Sequence, residues 1–199
     1  IWDAMKRKET YASSGPRITI RFFGGYDLPA DVNAGNIAAT GYAKGVPMGG
    51  DLKPAPAGKA PTFLVAAQKD PEGANLDRVQ IIKGWVDAKG KTHEKIFNIK
   101  WGGARQPDAS GKLPPVGNTV DLKTATYTNS IGATELVGSF TDPDFDPKAR
   151  AFYYARAIEI PTPRRTLYDS VKYKVKMDAV VPMVQQERAV TSPIWYDPA

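Results

Sequence analysis

Ile18, Ile20 and Phe22 alternate with Thr19, Arg21 and Phe23. A period of two puts successive side chains on opposite faces of an extended backbone, so this run reads as a half-buried strand, and further strand-length runs follow it, spaced by turn signals. Further runs cover residues 62–68, 77–87, 92–101, 119–127, 134–140, 151–160, 170–178 and 187–195. Phe97, Ile99 and Trp101 share one face of their run, and Ala88-Lys89-Gly90-Lys91 forms a short hairpin turn ahead of it. The segment Val171-Lys172-Tyr173-Lys174-Val175-Lys176-Met177-Asp178 alternates without a fault and is the clearest strand expectation, with its lysines in water.

Helix is expected in two places. Residues 1 to about 12 put Ile1, Trp2 and Met5 on one side and Asp3, Lys6, Arg7 and Glu9 around the rest, with Gly15-Pro16 as the stop. A shorter helix over residues 34–44 lies inside a long Gly/Pro/Ala-rich excursion between Gly24 and Pro61. Together these elements predict a mainly β fold, an antiparallel β-sandwich of the immunoglobulin or fibronectin kind with an N-terminal helix and a short helix in a long loop. If Phe152, Tyr154, Ile158 and Ile160 face inward, Arg156 does too, and a buried guanidinium needs a carboxylate such as Asp169 or Glu187. Glu159 joins these three as a structural or interface candidate.

The residue inventory narrows the chemistry. With no Cys among 199 residues, disulfides, thiolate metal sites and Cys nucleophiles are excluded. His93 is the single histidine, which excludes a multi-His metal site and favours a structural role for it. Asp142, Asp144 and Asp146 have the alternate spacing of a calcium loop and are candidate cation ligands. Pro147 stands where that loop needs Gly, and Tyr153 where it needs a bidentate Glu, so Asx turns are the competing reading. Gly24-Gly25 and Gly49-Gly50 lack the strand-to-helix setting of a phosphate loop and read as turns.

The net charge of +6 comes from scattered lysines and arginines and favours solubility over a polyanion partner. Trp85, Trp101 and Tyr127 offer surfaces for stacking on sugars or bases; no nucleic-acid signature accompanies them, so a sugar-binding face is the better expectation. No run has the length of a membrane span.

The first helix has no N-cap residue ahead of Ile1, and the expectation is a piece of a longer protein whose Trp2 and Met5 meet a further domain or a second copy. The stretch Asp3-Ala4-Met5-Lys6-Arg7-Lys8-Glu9-Thr10-Tyr11-Ala12-Ser13-Ser14-Gly15-Pro16-Arg17-Ile18 resembles the segment that closes the polymerase-and-histidinol-phosphatase-like (PHP-like) metallohydrolase domain of a group of bacterial proteins. Val46-Pro47-Met48-Gly49-Gly50-Asp51-Leu52, Phe152-Tyr153-Tyr154-Ala155-Arg156 and Arg188-Ala189-Val190-Thr191-Ser192-Pro193-Ile194-Trp195 resemble motifs of the β-domain appended to it. More narrowly, Asp70-Pro71-Glu72-Gly73-Ala74-Asn75-Leu76-Asp77 and Glu159-Ile160-Pro161-Thr162-Pro163-Arg164 resemble the bacterial family known as domain of unknown function 3604.

The resemblance implies that residues 1–15 end an upstream PHP-like domain and that 16–199 form a C-terminal β-sandwich. It further implies a non-catalytic domain with no cofactor of its own, attached to a hydrolase whose divalent-metal ligands, in H-x-H and related motifs, lie upstream. Its partners would be that missing domain or a second copy, and its compartment the periplasm or the exterior. A free-standing carbohydrate- or ligand-binding module is the alternative, distinguished by whether an aromatic cluster lies exposed in a groove or inside the core.

Overall fold

The structure, a computed structural model, describes residues 1–198. In chain order the elements are α1 (Trp2–Lys6), β1 (Tyr11–Ser13), β2 (Thr19–Gly25), α2 (Ile37–Lys44), β3 (Val46–Pro47), β4 (Asp51–Leu52), β5 (Thr62–Gln68), β6 (Leu76–Val86) and β7 (Thr92–Trp101). They continue with β8 (Glu135–Thr141), β9 (Ala151–Glu159), β10 (Thr162–Pro163), α3 (Arg165–Tyr173), β11 (Val184–Gln185), β12 (Arg188–Thr191) and β13 (Ile194–Tyr196). The fold is mainly β. A four-stranded antiparallel sheet runs β3-β2-β5-β8, and β10 pairs with β11 alone.

The seven-stranded sheet is built around β9. One side of β9 takes β12 and β13 end to end, and the other takes β6, with β7 beyond it. Outside β12 lies β1, and outside β13 lies β4, the one parallel pairing of this sheet. All of residues 187–195 were expected as one strand. It breaks at Ser192-Pro193 because proline has no N–H to give to a ladder.

The two larger sheets share one apolar core: Ile18, Ile20, Phe22, Phe63 and Val65 come from one, and Val79, Ile81, Tyr153, Ala155, Ala157 and Ile194 from the other. The rings of Phe63 and Tyr153 meet across it at 4.3 Å. The four-stranded sheet is covered on its other face too, where Phe23, Leu28, Leu64 and Ala66 pack with Ile37 of α2. That explains why Phe22 and Phe23 can be neighbours and both be buried, each contributing roughly 1.5–3 kcal/mol. Gly41 makes the second layer close, since a Cβ there would fall inside the Phe23 ring. The seven-stranded sheet carries no such cover over β9 and β13, where Trp195 is 43% exposed.

Three further sequence expectations fail. The alternating run 171–178 is not a strand: Val171 to Tyr173 end α3, Lys174 turns left-handed at φ 55°, and Val175 and Tyr173 are exposed. Leu167, Val171 and Val175 are four residues apart, a spacing that satisfies helix and strand periods at once. Residues 119–127 form only an isolated Asp121–Thr126 bridge, whose turn is held by Lys123 N–H donating to Asp121 Oδ1 at 2.8 Å. The first helix stops at Lys6 rather than near residue 12, because Lys8 adopts φ 61° and Tyr11–Ser13 pairs with β12. Among the described residues no helix is long and apolar enough to cross a membrane.

Candidate ligand-binding groove

On the uncovered face of the seven-stranded sheet the registers line up one row across five strands. Glu94 of β7 lies opposite Gly84 of β6, Gly84 opposite Phe152 of β9, Phe152 opposite Trp195 of β13, and Trp195 opposite Asp51 of β4. Residues opposite each other in a ladder project to the same face, so two aromatic rings and a glycine form a floor with a carboxylate at either end. Gly84 is what lets Phe152 lie down, because a Cβ there would fall inside its ring. Phe152 and Trp195 are tilted 50° with centroids 5.3 Å apart, and Tyr154 stacks behind Phe152 at 6.4 Å.

The row is the floor of an open groove of about 650 Å³, walled on one side by Val86, Thr92, Arg150 and Asp197. Arg150 Nε donates to Asp197 Oδ1 at 2.8 Å, so this cation is already neutralised. Asp51 and Glu94 are exposed and neither forms an ion pair among the described residues. At the mouth Trp85 stacks on His93 at 5.1 Å, and His93 Nε2 lies 2.8 Å from Asp87 Oδ2. That hydrogen bond, with further N–H donors from Lys91 and Lys89, holds the Asp87 carboxyl below its usual range.

Beneath the groove lies a polar cluster whose inner members, Lys83, Asp142 and Tyr153, are buried and whose outer pair, Lys95 and Asp144, is half exposed. Lys83 and Lys95 sit opposite one another on β6 and β7, and the loop after β8 brings Asp142 and Asp144 onto them. Lys83 Nζ is 2.6 Å from Asp142 Oδ2 and donates to the Asp144 carbonyl at 2.7 Å; the Tyr153 hydroxyl donates to Asp142 Oδ2 at 2.7 Å. Burial, then the charge of Asp142, pushes the Tyr153 hydroxyl far above its ordinary range. This clamp fixes the loop that delivers Arg150 and Phe152 to the groove.

The alternate acids expected as cation ligands therefore meet lysine ammonium groups: Asp142 holds Lys83 and Asp144 holds Lys95, while Asp146 Oδ1 accepts the Lys148 N–H at 2.9 Å in an Asx turn. Arg156 belongs to the outer face rather than the core, since Tyr153, Ala155 and Ala157 point inward and the phase of the strand is one residue off the expected one. It is half-buried and pairs with an amide, its Nε and Nη2 donating to Gln80 Oε1 at 3.1 and 2.7 Å. Neither expected partner reaches it: Asp169 faces Arg165 at 3.7 Å, and Glu187 accepts from Ser14 and Gln185.

Glu159 is 1% exposed, and its Oε1 accepts no hydrogen bond. Burial, followed by the charges of Glu187 and Asp70, pushes its carboxyl up to about 7. Trp2 and Met5 stand 73% and 58% exposed, and no residue of α1 is buried. Of the stacking candidates, Trp85 lines the groove, whereas Trp101 donates its Nε1–H to the Arg105 carbonyl at 2.6 Å.

The residues that make the groove floor were missed from sequence, apart from Trp85 at its mouth. Phe152 was assigned to the core, because both phases of 151–160 are apolar. The available signal was Gly84, a glycine inside an otherwise unbroken strand, which marks a close approach by another group.

A β-rich chain with an aromatic groove of this kind is the class that fold and site define. The chain belongs to the DUF3604 family, described as proteins of unknown function, whose model matches residues 1–198. Neither the curated proteins nor the solved structures compared with the chain gave a match.

Proposed function

We propose that this chain is a non-catalytic β-domain, an antiparallel β-sandwich at the C-terminal end of a larger PHP-like hydrolase that depends on a divalent metal and works in the periplasm or outside the cell. The observation that supports this reading best is the unburied α1, whose Trp2 and Met5 stand 73% and 58% exposed. Large apolar side chains left in water on one short helix mark a contact surface for another domain or a second copy. The donor set of this chain does not fit a catalytic divalent metal: its one histidine is bonded to Asp87 and stacked on Trp85, and Asp142 and Asp144 are bonded to lysines. In this reading the metal and the hydrolytic step belong to the upstream domain, and no step runs through this chain.

The test is made on the full-length protein. Trp2→Ser with Met5→Ser should loosen the junction, seen as new protease cleavage ahead of β1, while metal content and phosphoesterase activity stay with the upstream part. Retention of catalytic metal by this chain alone would refute the reading.

A second reading, a carbohydrate- or ligand-binding module, is favoured by one specific observation: Phe152 and Trp195 lie in an open groove instead of the core. The two readings are compatible, since an appended domain can hold the ligand on which its neighbour acts. Trp195→Ala tests it: a ligand that quenches the indole fluorescence of the wild type should lose most of its affinity for the variant.

A further inference from the structure

We propose that the ligand of this groove is an organic cation, an ammonium-bearing molecule with an apolar body, seated on Phe152 and Trp195 between the carboxylates of Asp51 and Glu94. The proposal rests on the binding-module reading of the groove.

The first argument is charge. The chain carries a net +6, yet the groove brings together Asp51, Glu94 and Asp197 against Arg150 alone. Arg150 is consumed by Asp197, which leaves two carboxylates uncompensated on an otherwise basic protein. Local acidity of this sign attracts a cation and repels an anion over the last nanometre of approach.

The second argument is the floor. The negative faces of aromatic rings attract cations, tryptophan most strongly, and the attraction grows where water is partly excluded. Trp195 is the right ring in the right place: it lies directly opposite Asp51, and its neighbour Phe152, tilted by 50°, closes a shallow corner in which an ammonium group meets two rings. The mostly apolar surroundings of Val86 and Gly84 suit methylene or methyl groups on the same ligand. Glu94 lies four strands from Asp51, roughly 19 Å at the usual inter-strand spacing, so a second ammonium of an extended ligand would find the other carboxylate.

A neutral sugar also stacks on aromatic rings, and its hydroxyl groups also bond to carboxylates. It gains nothing from the charge imbalance, and this is where the two occupants separate. The probe is choline, compared with its uncharged isostere in which the nitrogen is replaced by carbon, and with a neutral β-linked oligosaccharide. Each is titrated calorimetrically into the full chain.

Choline should bind saturably, its isostere at least roughly tenfold more weakly, with Trp195→Leu costing a similar factor. Asp51→Asn, which alters the exposed carboxylate beside Trp195 without disturbing packing, should weaken choline several-fold, and added salt should weaken it further, while Glu94→Gln, three strands from Trp195, should leave this small ligand nearly unchanged. Equal binding of choline and the isostere overturns the proposal, as does choline binding that Asp51→Asn leaves unchanged. Binding of the oligosaccharide without choline overturns the cation and leaves the groove as a ligand site. Binding of none of the three overturns both.

Discussion

Lys83 Nζ lies 2.6 Å from Asp142 Oδ2 with side-chain exposures of 5% and 0%, so the chain buries a whole ion pair beneath its groove. Taking two charges out of water costs several kcal/mol each, which their attraction and added hydrogen bonds offset only when the geometry is complete. Here the Tyr153 hydroxyl donates to the same carboxylate and the Asp144 carbonyl accepts a second Lys83 N–H. Removing one partner strands the other: Asp142→Ala should cost about 3–5 kcal/mol in urea unfolding, and the paired exchange Lys83→Met with Asp142→Leu markedly less. An Asp142→Ala cost below about 1 kcal/mol would contradict the buried pair.

Glu159 makes stability depend on pH in the direction opposite to most carboxylates. Its folded value, raised to about 7, lies above the unfolded one near 4.5, so the folded state binds the extra proton between those two pH values. Its contribution is therefore complete below about pH 4.5, is lost as pH rises to about 7, and is constant beyond. Discounted for solvent screening, the loss is on the order of 2 kcal/mol. Glu159→Gln should flatten this slope and be more stable than wild type at pH values above about 7, as thermal melting across the range would read. A wild type whose stability rises through that window, with the variant parallel to it, would contradict the raised carboxyl.

Gly84 is required by a ring and not by its backbone angles. Gly84→Ala should displace Phe152 from the sheet face, lowering stability by about 1–3 kcal/mol and disturbing the groove together with its Trp195 fluorescence. If the fold and the emission spectrum are both unchanged, Phe152 does not lie across Gly84.

Trp2 and Met5 predict an oligomeric state for the chain when no further domain is present. Sedimentation should show self-association that increases with concentration, and Trp2→Ser should remove it. A wild type that stays monomeric at high concentration would show that this face needs no cover.

How much of this could be read in the sequence depended on the length scale of the signal. The strands 62–68 and 92–101 were legible to the residue, the first as a short apolar run and the second by the alternation of Phe97, Ile99 and Trp101, because both signals are local. The segment 171–178 misled, because a spacing of four between Leu167, Val171 and Val175 is a multiple of two and close to a helical turn. The acids at 142, 144 and 146 were legible as an alternating set, yet the cations of Asp142 and Asp144 are lysines more than 45 residues away, which no local spacing reveals. The groove was the least legible part. Asp51, Gly84, Glu94, Phe152 and Trp195 become neighbours only through the registers of five strands, and register is fixed by the whole core.

The account turns on that row of five residues being a binding surface, and amide NMR on the labelled chain tests this most directly. On titration with choline, shifts should concentrate at Gly84, Phe152, Asp51 and the Trp195 indole, leaving α1 and α3 still. Saturable shifts centred elsewhere, with the Trp195 indole unmoved, would contradict it.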